Sequence, residues 1–179
     1  MRIRLAGIDD AAAIAALYAP YVTGSAVSFE GKAPDGDEMA DRIAEGGDLY
    51  PWLVAEDGDL LGYAYPTAFR PRHAYRFTVE TSVYVRQDGH GRGVGGALYG
   101  ALLPVLEAQG FTQAIAALTL PNEASVGLHE RHGFVRAGSY ADVGFKLNEW
   151  RSVGLWQRPL APMAAEPQEP RLFVGLLRL

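Results

Sequence analysis

The fold is decided by VETSVYV at residues 79–85, followed five residues later by HGRGVGG at residues 90–96. A segment rich in β-formers runs into a glycine-crowded turn, and the turn runs directly into a helix with periodic apolar residues. Glycines let a backbone approach an anion closely, and the first unpaired N–H groups of a helix point toward it. The segment therefore predicts a strand, a phosphate cradle and a helix in direct succession.

Glu80 lies inside this predicted strand, where an unpaired carboxylate is costly because most of the strand should be buried. Alternation places Glu80 on one face with Ser82 and Tyr84 and places the valines on the other face. A carboxylate in this position is a candidate general base. The alternative is structural: the carboxylate would pair with an arginine such as Arg76.

Composition bounds the class of protein. The chain has 179 residues, of which 49% are hydrophobic and 21% charged, and a net charge of −5. These values predict one soluble globular domain and disfavour a nucleic-acid binder. The chain has no cysteine, which excludes disulfides, thiolate metal sites and a covalent cysteine intermediate. The N-terminus lacks the apolar core of a signal peptide, and no run reaches the roughly 18 apolar residues of a membrane span. We therefore expect a cytoplasmic protein without membrane contact.

Alternating predicted strands and helices indicate a mixed α/β protein. The helix after the glycine turn carries an apolar stripe, and we expect it to continue, kinked, through Pro104. Four prolines in residues 158–170 predict an extended arm or a disordered tail. The predicted strands are residues 2–5, 52–55, 60–65, 79–85, 114–120, 135–140 and 153–157, and the predicted helices are residues 10–18, 37–45, 94–110 and 123–132.

Three polar residues line one stripe of the last predicted helix. Asn122, Ser125 and His129 stand at helical offsets of three and four. A histidine here is a candidate acid or hydrogen-bonding partner, and the alternative is a partly buried residue that only packs. The segment HERH at residues 129–132 does not predict zinc, because its histidines are three apart rather than four and no third ligand is evident. We expect no metal site.

These motifs together resemble the GNAT N-acetyltransferases, and the glycine turn resembles their coenzyme A loop. The resemblance sharpens to the phosphinothricin or methionine sulfoximine acetyltransferase branch and covers roughly residues 2–160. The segments that carry this narrower resemblance are YPWLVAE at residues 50–56, AYRFTVETSVYV at 74–85, LPNEASVGLHE at 120–130, and GFK at 144–146 with Trp150 downstream.

The resemblance implies a fold and a reaction. The fold is the GNAT fold, a central twisted mixed β-sheet of about seven strands flanked by about four helices. It would occupy residues 1–160, with residues 161–179 as a proline-rich extension. Acetyl-CoA would be the co-substrate, Glu80 the general base for direct transfer to an amine, and the assembly a homodimer. In the wider superfamily a tyrosine at the position of His129 is proposed to protonate the coenzyme A thiolate, which makes His129 the second candidate catalytic residue.

The resemblance also implies which residues hold coenzyme A. The backbone of residues 83–85 would bind the pantetheine arm like an added strand and polarise the thioester carbonyl, and the turn would bind the pyrophosphate. His90 departs from the family, which usually has Gln or Arg there, so some side-chain contact should be lost. The predicted cofactor residues are Val83, Tyr84, Val85, His90, Gly91, Arg92, Gly93, Val94, Gly95, Gly96, Asn122 and Ser125.

A cluster of arginines precedes Glu80. A substrate with a carboxylate and a phosphinate or sulfoximine group needs such donors, because arginine binds oxyanions bidentately. The alternative is that they are solvated surface charges. The resemblance places this loop near the substrate pocket, partly across a dimer interface, with Phe29 as an apolar wall. The predicted substrate residues are Phe29, Arg70, Arg72, Tyr75, Arg76 and Ser82.

The leading functional hypothesis is acetyl transfer to the α-amine of a small glutamate-like amino acid, such as phosphinothricin, methionine sulfoximine or methionine sulfone. The alternative within enzymes is another amine: a polyamine, an aminoglycoside or a peptide. The acidic net charge favours such cationic substrates, whereas the arginines before Glu80 favour an anionic one locally. A hypothesis of a different class is a non-catalytic acyl-CoA sensor.

Overall fold

The computed structural model describes residues 1–176, which form seven strands and four α-helices. This confirms the predicted fold class. Within residues 1–176, no helix is both long and apolar enough to cross a membrane. The elements are β1 (Arg2–Leu5), α1 (Ala11–Thr23), α2 (Gly36–Gly46), β2 (Leu53–Asp57), β3 (Asp59–Ala68), β4 (Thr78–Val85), α3 (Val94–Gln109), β5 (Gln113–Leu120), α4 (Glu123–Arg131), β6 (Val135–Lys146) and β7 (Glu149–Pro159).

The strands form one mixed sheet in the order β1-β2-β3-β4-β5-β7-β6. Among the described strands, every neighbouring pair is antiparallel except β4 and β5, which run parallel. Parallel neighbours need a crossover connection, and here the crossover is the glycine turn followed by α3. The glycine turn therefore lies at the carboxyl end of a central strand.

Apolar residues on both faces of the sheet form two cores. On one face, α3 buries Leu98, Leu102 and Leu106 against the central strands. On the other face, α1 and α2 pack over Val54 and Tyr63. Alternation along β4 then sends Glu80 to the face covered by α1 and α2, and sends Val79 and Thr81 to the α3 face.

β4 and β5 separate soon after they begin. Only Thr78–Glu80 pairs with Gln113–Ile115, after which β4 stays with β3 and β5 stays with β7. The strands therefore open a wedge in the sheet. On β4, Arg86 N–H bonds to β3, so antiparallel alternation turns the backbone groups of Val83 and Val85 toward the wedge.

The predicted boundaries were wrong at the last two strands and at α1. The strands predicted at residues 135–140 and 153–157 form instead one long hairpin, β6–β7, with Leu147 and Asn148 at positive φ in its turn. Most of β6 is exposed and two register shifts interrupt it, so it lacks the clean alternation of a half-buried strand. Helix α1 continues through Pro20 to Thr23 rather than ending near residue 18. Helix α3 runs through Pro104 without a break.

Residues 161–176 run back along the domain as an arm. Arg171 N–H donates to Gln109 O at 2.7 Å, and Phe173 N–H donates to Asp48 O at 3.0 Å. The Phe173 side chain is 9% exposed. The arm thus covers the end of α3 and the turn before β2. The end of the predicted extension, residues 177–179, lies outside the described residues.

Candidate active site

Glu80 lies at the apex of the wedge between β4 and β5. It pairs with Ile115 of β5 and faces Thr67 of β3, and it is the last residue of β4 with a partner on β5. Its carboxylate is half-buried, and burial raises its pKa above the ordinary value, with a smaller opposing effect from Arg70. Within residues 1–176, no side chain is hydrogen-bonded to it. A half-buried carboxylate without a partner is able to accept a proton.

Arg76 does not pair with Glu80. Its Nε lies 2.8 Å from Glu169 Oε1 on the C-terminal arm, and its guanidinium stacks 4.3 Å from the Phe77 ring centroid. The structural alternative for Glu80, an ion pair with Arg76, is therefore wrong. The C-terminal arm thus binds Arg76, a residue that the resemblance assigned to the substrate.

The remaining arginines lie in the exposed loop before β4. Arg70 stacks 5.0 Å from the Phe69 centroid and lowers the pKa of Glu80, so it is the arginine whose charge reaches the carboxylate. Arg72 precedes the short 3₁₀ helix His73–Tyr75 and is exposed. The Tyr75 ring packs edge-on against Phe69 at 5.6 Å. The structure thus brings Arg70 near Glu80 and leaves Arg72 solvated.

A cavity of about 500 Å³ opens between the glycine turn, the carboxyl end of β4 and the N-terminus of α4. Every predicted cofactor residue lines it except Arg92. Gly91 and Gly93 have φ values of 75° and 79°, a conformation that glycine adopts at no steric cost. A Cβ on Gly95 would lie 3.0 Å from Leu128 Cδ2, so glycine permits the close approach of α3 and α4. The lining residues that sequence reasoning missed are Tyr21, Val27, Gly89, Glu123, Ala124, Leu128 and Arg131.

Tyr21 and His90 both line this cavity and contact each other. Tyr21 O–H donates to Val85 O at 2.5 Å, and His90 Nε2 lies 2.8 Å from the Tyr21 oxygen and 3.1 Å from Val85 O. Because a carbonyl only accepts, Nε2 of His90 carries a proton in this arrangement. The residue that departs from the family therefore joins α1 to the turn. His90 also bonds to the backbone carbonyl oxygen of Val85.

His129 is 2% exposed, and both of its ring nitrogens are engaged. Nδ1 lies 2.7 Å from Ser125 O, so it must be the N–H donor, and Nε2 lies 2.8 Å from the hydroxyl of the fully buried Tyr99. Burial lowers the pKa of His129, the Ser125 carbonyl opposes that shift, and His132 lowers the pKa slightly further. The ring is therefore neutral at pH 7, with its proton on Nδ1.

A small cavity of about 50 Å³ lies inside the wedge itself, between β4 and β5. The predicted residues Ser82, Asn122, Ser125 and His129 all line it, together with Val27 from the loop after α1. It adjoins the larger cavity, because the two linings share Val27, Val83, Tyr84, Asn122 and Ser125.

Phe29 lies in the loop between α1 and α2 and is 43% exposed. Lys146 Nζ donates to Ser28 O at 2.5 Å and to Glu30 O at 2.9 Å, and Glu30 is held bidentately by Arg42 at 2.8 and 2.9 Å. The residues on both sides of Phe29 are thus fixed to the rest of the domain. In the part of the chain that the structure describes, no three His, Asp or Glu side chains are grouped to hold a metal ion.

Comparison with known proteins agrees with this geometry. A family model described as an acetyltransferase (GNAT) domain matches residues 3–152. The chain is 48% identical to the phosphinothricin N-acetyltransferase of Alcaligenes faecalis, over 88% of this chain and 82% of that protein. It is 39% identical to the L-methionine sulfoximine/L-methionine sulfone acetyltransferase of Pseudomonas aeruginosa, over 92% of this chain and 98% of that protein.

Solved structures are similar over nearly the whole chain. The GNAT superfamily phosphinothricin acetyltransferase of Sinorhizobium meliloti, in complex with AcCoA, superposes with a TM-score of 0.90 at 36% identity, covering 96% of this chain and 97% of that one. A putative acetyltransferase of Salmonella typhimurium with its cofactor acetyl-CoA superposes with a TM-score of 0.88 at 31% identity, covering 93% of this chain and 97% of that one. The resemblance seen in the sequence and the enzyme class that it implied are confirmed, and the chain therefore belongs to the GNAT family of acetyltransferases.

Proposed function

We propose that this protein transfers the acetyl group of acetyl-CoA directly to the α-amine of a small glutamate-like amino acid, of the phosphinothricin, methionine sulfoximine or methionine sulfone type. The observation that carries the proposal is the position of Glu80 at the apex of the wedge, whose small cavity adjoins the cofactor cavity. Its carboxylate is half-buried and has no hydrogen-bonded side chain among residues 1–176. The names of the relatives support the same class of amine.

The larger cavity fits coenzyme A. Its turn presents backbone at Gly91 and Gly93 with no side chain in the way, and the N-terminus of α3 follows immediately. Backbone N–H groups at a helix N-terminus bind phosphate oxygens, and Arg131 adds a cation to the lining. When bound, acetyl-CoA supplies the acetyl group as an activated thioester.

The β4 edge in the wedge would orient the pantetheine arm. The backbone of Val83 and the N–H of Val85 turn toward the wedge, where none of the strands β1–β7 pairs with them. Val85 O is already bonded to Tyr21, so Val83 is the residue left to supply a carbonyl acceptor. A backbone N–H at this edge would also polarise the thioester carbonyl.

Glu80 would act as the general base. An α-amine with a pKa near 8 is mostly protonated at neutral pH, and it becomes a nucleophile only after losing a proton. Glu80 accepts that proton, directly or through a water molecule. Burial raises the pKa of Glu80, which brings it closer to the pKa of the amine and improves the transfer.

Arg70 favours an anionic substrate. Its charge reaches Glu80, so a carboxylate or phosphinate oxygen held by Arg70 would sit beside the amine that Glu80 deprotonates. Ser82 lies two residues after Glu80 on the same face of β4 and lines the small cavity in the wedge. It would contact the substrate or the acetyl group.

His129 fits the role of hydrogen-bonding partner better than that of acid. A neutral ring whose only proton is bonded to Ser125 O has none to release at neutral pH. We infer that His129 fixes the first turn of α4, and with it Ser125, against the cofactor cavity.

A homodimer is part of the proposal, and the hairpin β6–β7 is its interface. This hairpin exposes a set of large apolar side chains that a monomer rarely leaves in water. These are Val135, Tyr140, Val143, Phe145, Leu147 and Trp150. Light scattering of the wild type should report twice the chain mass. The double variant Phe145→Ser/Trp150→Ser should report the mass of a single chain.

The substrate is tested by thiol release from acetyl-CoA with four amines in parallel: phosphinothricin, methionine sulfoximine, methionine sulfone and spermidine. Turnover with one or more of the first three and not with spermidine supports the proposal. Turnover only with spermidine would favour the alternative class of cationic amines. Tight coenzyme A binding without turnover on any amine would favour the non-catalytic sensor.

A further inference from the structure

Ser125 of α4 lines both the larger cavity and the small cavity in the wedge, so it lies at their junction. On one side of this junction is the glycine turn, and on the other is the wedge with Glu80 at its apex. Under the proposed function the phosphates of coenzyme A bind at the turn and the amine attacks from the wedge. The thioester, with its sulfur atom, would therefore lie between these two ends, beside Ser125.

The backbone of Ser125 is fixed on both sides. Its N–H donates to Asn122 Oδ1, the cap of α4, at 3.1 Å, and its carbonyl oxygen accepts from His129 Nδ1 at 2.7 Å. Nε2 of the same ring lies 2.8 Å from the hydroxyl of the fully buried Tyr99, which anchors the ring in the core. The position of Ser125 at the junction is therefore set by contacts that do not use its hydroxyl group.

The hydroxyl proton of Ser125 is free to be donated to a ligand. Its Oγ lies 3.4 Å from His129 Nδ1, but that nitrogen already carries the proton bonded to Ser125 O and cannot accept another. Within residues 1–176, Ser125 Oγ has no further hydrogen-bond partner. Ser25, just after α1, shows the alternative, because its Oγ donates back to Tyr21 O at 2.8 Å.

The other residues at the junction are less suited to bind sulfur. Val27 and Val83 have apolar side chains, and the Tyr84 ring packs edge-on against Tyr18 at 4.8 Å. Asn122 is oriented by the cap of α4, which leaves its amide N–H groups as competing donors. A backbone N–H of β4 would serve the carbonyl oxygen of the thioester, so the sulfur needs a donor of its own.

We propose that Ser125 is a further catalytic residue, whose hydroxyl donates a hydrogen bond to the sulfur of coenzyme A as the thiolate leaves. The C–S bond breaks and its electron pair goes to sulfur. The amine nitrogen, having given its first proton to Glu80, gives up a second as the amide forms, and this proton neutralises the thiolate. Ser125 keeps its own proton and stabilises the charge while it develops. The inference rests on the proposed function for the place of coenzyme A, and not on the identity of the amine.

The test compares coenzyme A with desulfo-coenzyme A, in which hydrogen replaces the thiol. Ser125→Ala removes only the hydroxyl, and alanine is a good helix former, so α4 should persist. At about pH 9.5, above the ordinary pKa of a thiol, the Kd for coenzyme A should be about tenfold higher in Ser125→Ala than in the wild type. The Kd for desulfo-coenzyme A should stay within about twofold. Ser139→Ala, at an exposed position of β6, is the control and should change neither Kd.

The bound thiol can also be titrated directly. The ultraviolet absorbance of the thiolate, measured against the complex with desulfo-coenzyme A, should report a thiol pKa about one unit higher in Ser125→Ala, because the hydrogen bond favours the charged form. Equal Kd increases for the two ligands would mean that Ser125 is structural. An unchanged Kd for coenzyme A and an unchanged thiol pKa would assign the sulfur to another donor, such as the Asn122 amide. Either result would overturn the inference.

A single-turnover measurement with acetyl-CoA tests the catalytic part. The rate of acetyl transfer in Ser125→Ala should fall about tenfold or more, while the Kd for acetyl-CoA stays within about twofold, since the thioester sulfur carries little charge before the C–S bond breaks. An unchanged rate would contradict a catalytic role.

The comparison of coenzyme A with desulfo-coenzyme A uses no amine, which separates this inference from the proposed function. If the wild type acetylates none of the glutamate-like amino acids, the proposed substrate class fails. The two ligands would still decide whether the Ser125 hydroxyl reaches the sulfur: a Kd increase confined to coenzyme A supports the contact, and equal behaviour of the two ligands overturns it.

Discussion

Glu80 and Ile115 form the last pairing between β4 and β5, and the two strands separate immediately beyond them. The separation places the carboxylate at the narrow end of a wedge whose wide end holds the glycine turn and the N-terminus of α4. Under the proposed function, the proton acceptor and the acetyl donor would meet in this wedge.

The pH dependence of turnover should reflect Glu80. Burial raises its pKa above the ordinary value, and only the ionised form accepts a proton, so kcat/KM should fall as pH drops through that raised pKa. Arg70→Gln removes the charge that opposes the shift, so the acid limb should move to higher pH, while KM for the amino acid rises about tenfold. Steady-state kinetics between pH 4 and pH 9 measure both. The exposed Arg72→Gln is the matched control, and an identical change there would contradict the role of Arg70.

Glu80 should also weaken the fold at neutral pH. Its pKa is higher folded than unfolded, so between those two values the native state binds more protons and stability falls as pH rises. Glu80→Gln, which cannot ionise, should therefore melt higher than the wild type at pH 8 and equally at pH 4. Scanning calorimetry at the two pH values measures this. A lower melting temperature at pH 8 would mean that the carboxylate is stabilising.

Gly93 should be needed for cofactor binding. Its φ of 79° costs an alanine about 1–2 kcal/mol, so Gly93→Ala should weaken coenzyme A binding about tenfold. The control is Gly100→Ala in α3, the helix that Gly93 precedes, where an added Cβ meets nothing within 4 Å. That substitution should stabilise the protein by about 0.5–1 kcal/mol without changing the Kd. Titration calorimetry with coenzyme A would contradict the cradle if both variants bound equally well.

The two hydrogen bonds of the His129 ring can be removed one at a time. His129→Asn keeps a donor for Ser125 O and loses the acceptor for Tyr99, whereas His129→Gln does the reverse. If His129 positions α4, His129→Asn should retain kcat within about tenfold, and His129→Gln should lose coenzyme A affinity. Neither amide can protonate a thiolate. A loss of kcat of more than about a hundredfold in both would indicate that His129 is the acid after all.

The C-terminal arm should stabilise the domain. Phe173→Ala removes a buried ring and should lower the free energy of unfolding by about 3 kcal/mol. Met163→Ala, in an exposed part of the same arm, should change it by less than about 0.5 kcal/mol. Urea denaturation compares them. Equal midpoints would show that the arm does not hold to the domain in solution.

The sequence predicts the centre of the fold well because the information there is local. A strand, a glycine turn and an amphipathic helix are each specified by their own residues, whereas the cofactor residues were implied by the resemblance to the GNAT family. The hairpin β6–β7 could not be delimited in this way. Gly138, Asp142 and Gly144 resemble loop residues, and they serve the bulges of an exposed strand instead.

Long-range contacts account for what sequence reasoning missed at the site. Tyr21 reaches His90 across 69 positions of the chain, and Tyr99 reaches His129 across 30. No spacing rule connects such pairs. Nor could the sequence distinguish Arg70, which reaches Glu80, from Arg76, which the C-terminal arm occupies through Glu169.

The most direct test of Glu80 as general base is one variant in which both turnover and coenzyme A affinity are measured. Glu80→Gln keeps the size and polarity of the side chain and removes its ability to accept a proton at pH 8. Its kcat with methionine sulfoximine should fall about a thousandfold, while the Kd for coenzyme A should stay within about twofold of the wild type. If turnover and coenzyme A affinity fell together, or if turnover were retained, Glu80 would not be the base.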